Sequence, residues 1–214
     1  MALAIGVAGS GTVCPAAQIL DRVVASVGNV AITASDVEQQ YRFERFLDVQ
    51  WPPPPPNSDA LDHAREHLTY QVLLTREENP GPADQAESEK SAAGRLAALR
   101  KEYGRAEDYQ RALRDLGMTE TEVTARIAQQ ELMLRLIDER LRPAASPSDA
   151  AVAEYFHSTF VPEFQKKNGG AAAPPLSEVE DQIREILIQK RINELLDQWI
   201  EELRPTTNVR FHSF

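Results

Sequence analysis

The sequence predicts a mostly helical domain closed by a small β-sheet, and three observations carry that prediction. The run Leu176–Leu203 holds no Gly or Pro, enough for a rod of about 40 Å at ~1.5 Å per residue. Two short β-branched runs, Val23–Val27 and Val30–Ile32, flank Gly28-Asn29, which reads as a tight hairpin turn. An isolated hairpin is marginal in water, and Val209–His212 is the remaining segment that reads as a third strand.

The helices follow from caps and breakers. Ser35 with Glu38 forms a capping box that opens a helix through Tyr41, Phe43 and Phe46 to about Gln50. Pro52–Pro56 stops it and favours a polyproline spacer. Ser58 or Asp59 caps the next helix, which buries Leu61, Ala64, Leu68, Val72 and Leu73, runs to about Glu77 and ends at Asn79–Pro82. A third spans about Asp84–Tyr103 before Gly104, and a fourth Ala106–Leu116 before Gly117.

Thr119 with Glu122 caps a fifth helix to Arg142. Its one face carries Val123, Ile127, Leu134, Ile137 and Leu141, with Leu132 and Leu136 on the other side. Ser148 starts a sixth through Val152, Tyr155, Phe156 and Phe160, ending near Pro162. Ser177 with Glu180 opens the last. There Val179, Ile183, Ile186 and Leu187 share one face, while Ile188, Ile192, Leu195, Leu196, Trp199 and Leu203 centre on nearly the opposite one. The two halves must bury against different neighbours: the first against the Ser148–Phe160 helix, the second beside Val123–Leu141.

The organisation reads as a tail (1–18), a main region (19–164), a linker (165–175) and a completing helix and strand (176–214). Met1–Gln18 has no charged side chain; it reads as a signal-peptide remnant lacking its positive n-region or, equally, as a disordered tail. Cys14 is the single cysteine, so no intramolecular disulfide forms. A net charge of −10 argues against nucleic acid and anionic membrane surfaces as partners. No stretch reaches the roughly 20 apolar residues of a membrane span.

The element order resembles the chaperone part of the SurA/PrsA-type peptidyl-prolyl isomerases of the bacterial envelope. Ile19–Val37 is similar to that family's opening strand pair and Ser-Asp-Val helix start, and Asp108–Glu120 to its short helix, Leu-Gly corner and Thr-capped helix. The segment following Ser148 and ending at Phe156 resembles the helix that leads into a parvulin domain, and Pro175–Ile183 the helix that follows one. Between Phe164 and Pro174 only nine residues, Gln165–Ala173, stand where that catalytic domain would be, so no catalytic residue carries over. The resemblance implies an ATP-independent periplasmic chaperone that binds unfolded or translocating polypeptides, outer-membrane protein precursors among them, without a cofactor. It leaves open a homodimer with exchanged elements, an isomerase partnership with a separate parvulin, and an adaptor for one folded partner.

Such a chaperone needs exposed apolar side chains, and Tyr41, Phe43, Phe46, Trp51, Tyr70, Tyr155, Phe156 and Phe160 are the candidates for a polypeptide groove, set against ordinary core roles for each. In the first of these helices Tyr41 points away from Phe43 and Phe46. The one pattern that looks catalytic is His63-Ala-Arg-Glu66-His67, where two imidazoles at i and i+4 can share a zinc with Glu66 as base. No third ligand is identifiable, and a solvated helix face explains the same residues more simply. No Ser/His/Asp or Cys/His arrangement and no phosphate loop is present.

Overall fold

The computed structural model describes residues 21–77 and 80–214; the readings of Met1–Gln18, Ile19, Leu20 and Asn79 lie outside them. Strands β1 (Val23–Val27) and β2 (Val30–Thr33) form the hairpin, with Gly28 at φ +61° in its turn, the left-handed conformation that favours glycine. Strand β3 (Val209–Phe211) pairs antiparallel with β1, so the sheet order is β2-β1-β3 and the two ends of the described chain close one sheet. Val27 pairs with Val30 and Val209, and Ala25 with Ile32 and Phe211; the central strand and Ile32 enter the core, while Val30 and Phe211 at the two edges stay exposed.

Helix α1 (Ala34–Leu47) is capped by Thr33 with Asp36 rather than by Ser35 with Glu38: the Thr33 hydroxyl accepts from Asp36 N–H, and Asp36 accepts from Thr33 N–H. The cap moves two residues earlier because Thr33 still ends the strand. Helix α2 (Ser58–Glu77) takes its cap from Asn57, whose Oδ1 accepts Ala60 N–H at 2.9 Å, instead of Ser58 or Asp59. Helices α3 (Pro82–Glu102) and α4 (Ala106–Leu116) end before Gly104 and Gly117, both at positive φ. Helix α5 (Glu120–Leu141) starts at the expected Thr119 and Glu122 box.

Helix α6 (Asp149–Tyr155) is capped by Ser148, and it does not end near Pro162. A π-turn at Phe156–Phe160, in which Val161 N–H reaches the Phe156 carbonyl, joins it to α7 (Val161–Lys167). The widened turn moves aside the carbonyl that a proline ring would otherwise strike, so the chain stays helical through Pro162. Helix α8 (Leu176–Thr207) follows Pro175 as its N-cap, so Ser177 lies inside the first turn and does not cap; Glu180 pairs with Arg184 at 2.8 Å. It continues past Pro205 to Asn208, which turns the chain at φ 55° into β3.

Three apolar clusters result. The central one joins the sheet, Tyr41, α2, the end of α5 and the second half of α8 through Ile192, Trp199, Ile200 and Leu203. A second encloses Phe43 and Phe46 between α3, α4 and the start of α5. The third is small: Val152 and Phe156 meet Val179 and Ile183. The two faces of α8 therefore bury against different neighbours as their patterning requires, the first half on α6 and the second beside Ile137 and Leu141.

Candidate polypeptide-binding surface

Helix α5 is shared by two clusters. Val123, Ile127 and Ala128 belong to the α3–α4 side, whereas Ile137 and Leu141 belong to the central core. At ~100° per residue Leu134 falls in the middle of this same stripe. It is nonetheless 63 % exposed, the most open of the large apolar side chains among the described residues. The clusters begin on either side of it and neither covers it. Leu132, Met133 and Leu136 around it are only half-buried, so the waist of the molecule keeps apolar surface in water.

A comparable surface runs along the first half of α8. Ile186 is 40 % exposed in a groove of about 630 Å³ rimmed by Gln182, Glu185, Gln189, Lys190 and Asn193. The expectation that Ile186 packs inward fails for a geometric reason: α6 and α7 cover the arc centred on Ile183, and Ile186 lies at its edge. The rim is polar and of mixed sign. Arg142 holds Glu185 in a two-pronged pair at 2.9 and 3.0 Å, which keeps that carboxyl well below its ordinary value, at about 2. Amides that donate and accept, beside one apolar anchor, suit a chain recognised by its backbone more than by its sequence.

The aromatic candidates divide. Tyr41 does point to the opposite side from Phe43 and Phe46, yet all three are enclosed: Tyr41 in the central core with its hydroxyl on Pro54 O at 2.9 Å, the two phenylalanines at zero exposure in the second cluster. Phe156 is buried against α8. Trp51 and Tyr70 are half-buried, Trp51 edge-on to Phe46 at 6.3 Å and Tyr70 bonded through its hydroxyl to Arg204 at 3.2 Å. Tyr155 and Phe160 are also half-buried; Lys190 sits 4.8 Å over the Tyr155 ring, and Phe160 stacks between Phe156 and Phe164. Tyr155 and the α8 groove thus share Lys190. Periodicity showed where Leu134 and Ile186 point but could not show that nothing lies opposite.

Of His63, Glu66 and His67, only His67 enters a defined polar network. Its Nδ1 stands 2.8 Å from Glu44 Oε1, and fully buried Gln40 donates to the same oxygen at 2.7 Å while accepting from Arg126. Burial works to raise the Glu44 carboxyl, but the bonds from His67 and Gln40 outweigh it and leave it below its ordinary value. Arg126 lies 4.5 Å over the Phe43 ring and is lowered by burial. The network ties α1, α2 and α5 together. Among the described residues no group of three His, Cys, Asp or Glu side chains is placed to hold a metal ion. Among the described residues no helix is long and apolar enough to cross a membrane.

Comparison with known protein families, with curated proteins and with solved structures finds no match for this chain.

Proposed function

We propose that the protein is an ATP-independent chaperone that holds unfolded or translocating polypeptides, acting in the periplasm and carrying no isomerase of its own. The observation that carries the proposal is Leu134: an apolar side chain on a core-facing stripe, left 63 % exposed where two clusters part. A folding enzyme needs a shaped pocket with converging catalytic groups, whereas a holding chaperone needs accessible apolar anchors in a polar frame. Ile186 with its amide rim supplies a second anchor of the same kind. Two features of the chain add support. It resembles SurA/PrsA-type chaperone domains in four ordered segments, and α7 passes to α8 through only Asn168–Pro175, a span too short for a catalytic domain.

The test is light scattering of a chemically unfolded client diluted into buffer with and without the protein. Suppression near equal molar ratio is expected, with loss of most of it in a Leu134→Asp, Ile186→Asp double variant whose melting curve stays close to wild type. Unchanged suppression by that variant removes these two anchors from the reading, and no suppression by the wild type removes the chaperone. Prolyl isomerisation above background would overturn the absence of an isomerase.

A further inference from the structure

His67 holds one ring nitrogen against a carboxylate: Nδ1 and Glu44 Oε1 are 2.8 Å apart, the geometry in which Nδ1–H donates and the carboxylate accepts. Gln40 lies 3.2 Å from the same nitrogen but directs its N–H to Glu44 Oε1 at 2.7 Å. With Nδ1 on the carboxylate, Nε2 is the ring nitrogen left for another ligand, on an exposed side chain, with no partner among the described residues. An imidazole whose far nitrogen donates to a carboxylate is the arrangement that orients metal-binding histidines and raises their basicity. One turn earlier on α2 stands His63, also exposed. Spacing of i and i+4 puts the two rings on one helical face.

His63 and Glu44 line one recess of about 580 Å³ together with Asp59 and Asn57, and His67, outside that lining, meets it through Glu44. Arg45, which also lines it, is engaged by Asp48 at 3.0 Å, and Arg65 on the same helix by Asp62 at 2.5 Å. We propose that Nε2 of His63 and Nε2 of His67 chelate a borderline divalent transition-metal ion on the outer face of α2, with Glu44 orienting the His67 ring. The protein supplies two imidazoles and water completes the sphere, which is a binding site and not a hydrolytic centre. Glu66, the base of the peptidase pattern, has no part in it. The site goes beyond polypeptide binding and does not depend on it.

Titration calorimetry of the full chain with ZnCl2 and with CuCl2 tests this. One ion per chain is expected, bound more tightly for Cu2+ than for Zn2+ by the usual order of imidazole affinities, with no heat from Mg2+. His63→Ala and His67→Ala each abolish it, Glu44→Gln weakens it about 10- to 100-fold, and Glu66→Gln leaves it unchanged. Because Glu44→Gln could loosen the α1–α2 contact, its melting curve without metal is recorded alongside, and Zn2+ should raise the melting temperature of wild type but not of His63→Ala. Equal binding by the His63→Ala, His67→Ala double variant, or a folded Glu44→Gln variant with wild-type affinity, overturns the assignment.

Discussion

Leu134 and Leu141 are the same residue type on the same stripe of α5, seven positions apart, so replacing each by alanine isolates what the waist does. Leu141 is 9 % exposed inside the central core, and truncating a buried leucine costs about 2 to 5 kcal/mol through lost transfer energy and the cavity left behind. Leu134 is 63 % exposed, so folding removes about a third of its surface from water. Fully burying a leucine is worth about 1.5 to 3 kcal/mol, which leaves about 0.5 to 1 kcal/mol at stake, and no cavity forms. The higher helix propensity of alanine offsets part of even that. Urea unfolding followed by circular dichroism should show Leu141→Ala with a much lower midpoint and Leu134→Ala within a small shift of wild type, at equal slope. If the two variants lose the same stability, something covers Leu134 in solution. A midpoint gap that narrows with rising protein concentration would identify the cover as a second copy of the chain.

Other expectations are as direct. Gln40→Ala removes the acceptor for the mostly buried Arg126 and one donor to Glu44, and should cost about 2 to 4 kcal/mol in urea titration, more than its size suggests. Trp199→Ala should cost about 3 to 5 kcal/mol, since the ring is buried and Arg140 packs 4.2 Å over it; Leu195→Ala, only half-buried, should cost clearly less, and Val179→Ala in the small third cluster less than Trp199→Ala. Gly117→Ala meets nothing within 4 Å but sits at φ +76°, so a loss of about 1 kcal/mol should come from the backbone alone. The Glu185 carboxyl is lowered in the folded chain to about 2, so its contribution is present above its ordinary value of 4.5 and is lost as pH falls from there toward 2. The pair is exposed, so the effect is small; acid titration of Glu185→Gln should be flatter than wild type over that window, and an identical curve would show that Arg142 gains nothing from it.

Where the sequence constrains a segment by its own chemistry, the fold was readable. Thr119 three residues before Glu122, Gly117 after an apolar run, and β-branched runs around Gly28 each act through local backbone bonding, and each appears as expected. The misplaced caps at Ser35 and Ser58 share a cause: several side chains within two or three residues could cap, and the choice is made by what precedes the helix, strand β2 at Thr33 or the proline run before Asn57; at Ser177 the helix starts already after Pro175, with no side-chain cap. Pro162 misleads for another reason. A proline rule assumes an ordinary preceding turn, and the π-turn at Phe156–Phe160 removes the clash on which the rule rests. The surface was less legible than the fold, because a helical stripe records the direction of a side chain and not the presence of a neighbour. Phe43 and Leu134 carry equally strong apolar signals, yet one is sealed by α3, α4 and α5 while the other faces a gap between clusters.

That gap follows from how the chain is closed. Strand β1 pairs on one side with β2 and on the other with β3, so the sheet is complete only after α8 has returned from the α6–α7 arm. The central core thus contains both ends of the described chain, and the arm joins it through α8 and through the short segment between α5 and α6, where Ala145 is buried, with a cluster of four buried residues at the base of the arm. A small cluster on a long helix is the part of the structure with least burial to hold it, so opening there needs less free energy than opening the sheet. The Ile186 groove lies on that weakly held half of α8, and the Arg142–Glu185 pair is what links it back to α5. If the groove takes a polypeptide as proposed, the arm can shift without breaking the core. Hydrogen exchange should find α6, α7 and the first half of α8 exchanging together and faster than β1 and Ile192–Leu203. Equal protection of the two halves would mean that α8 opens only with the whole domain, and that the arm does not adjust to what it holds.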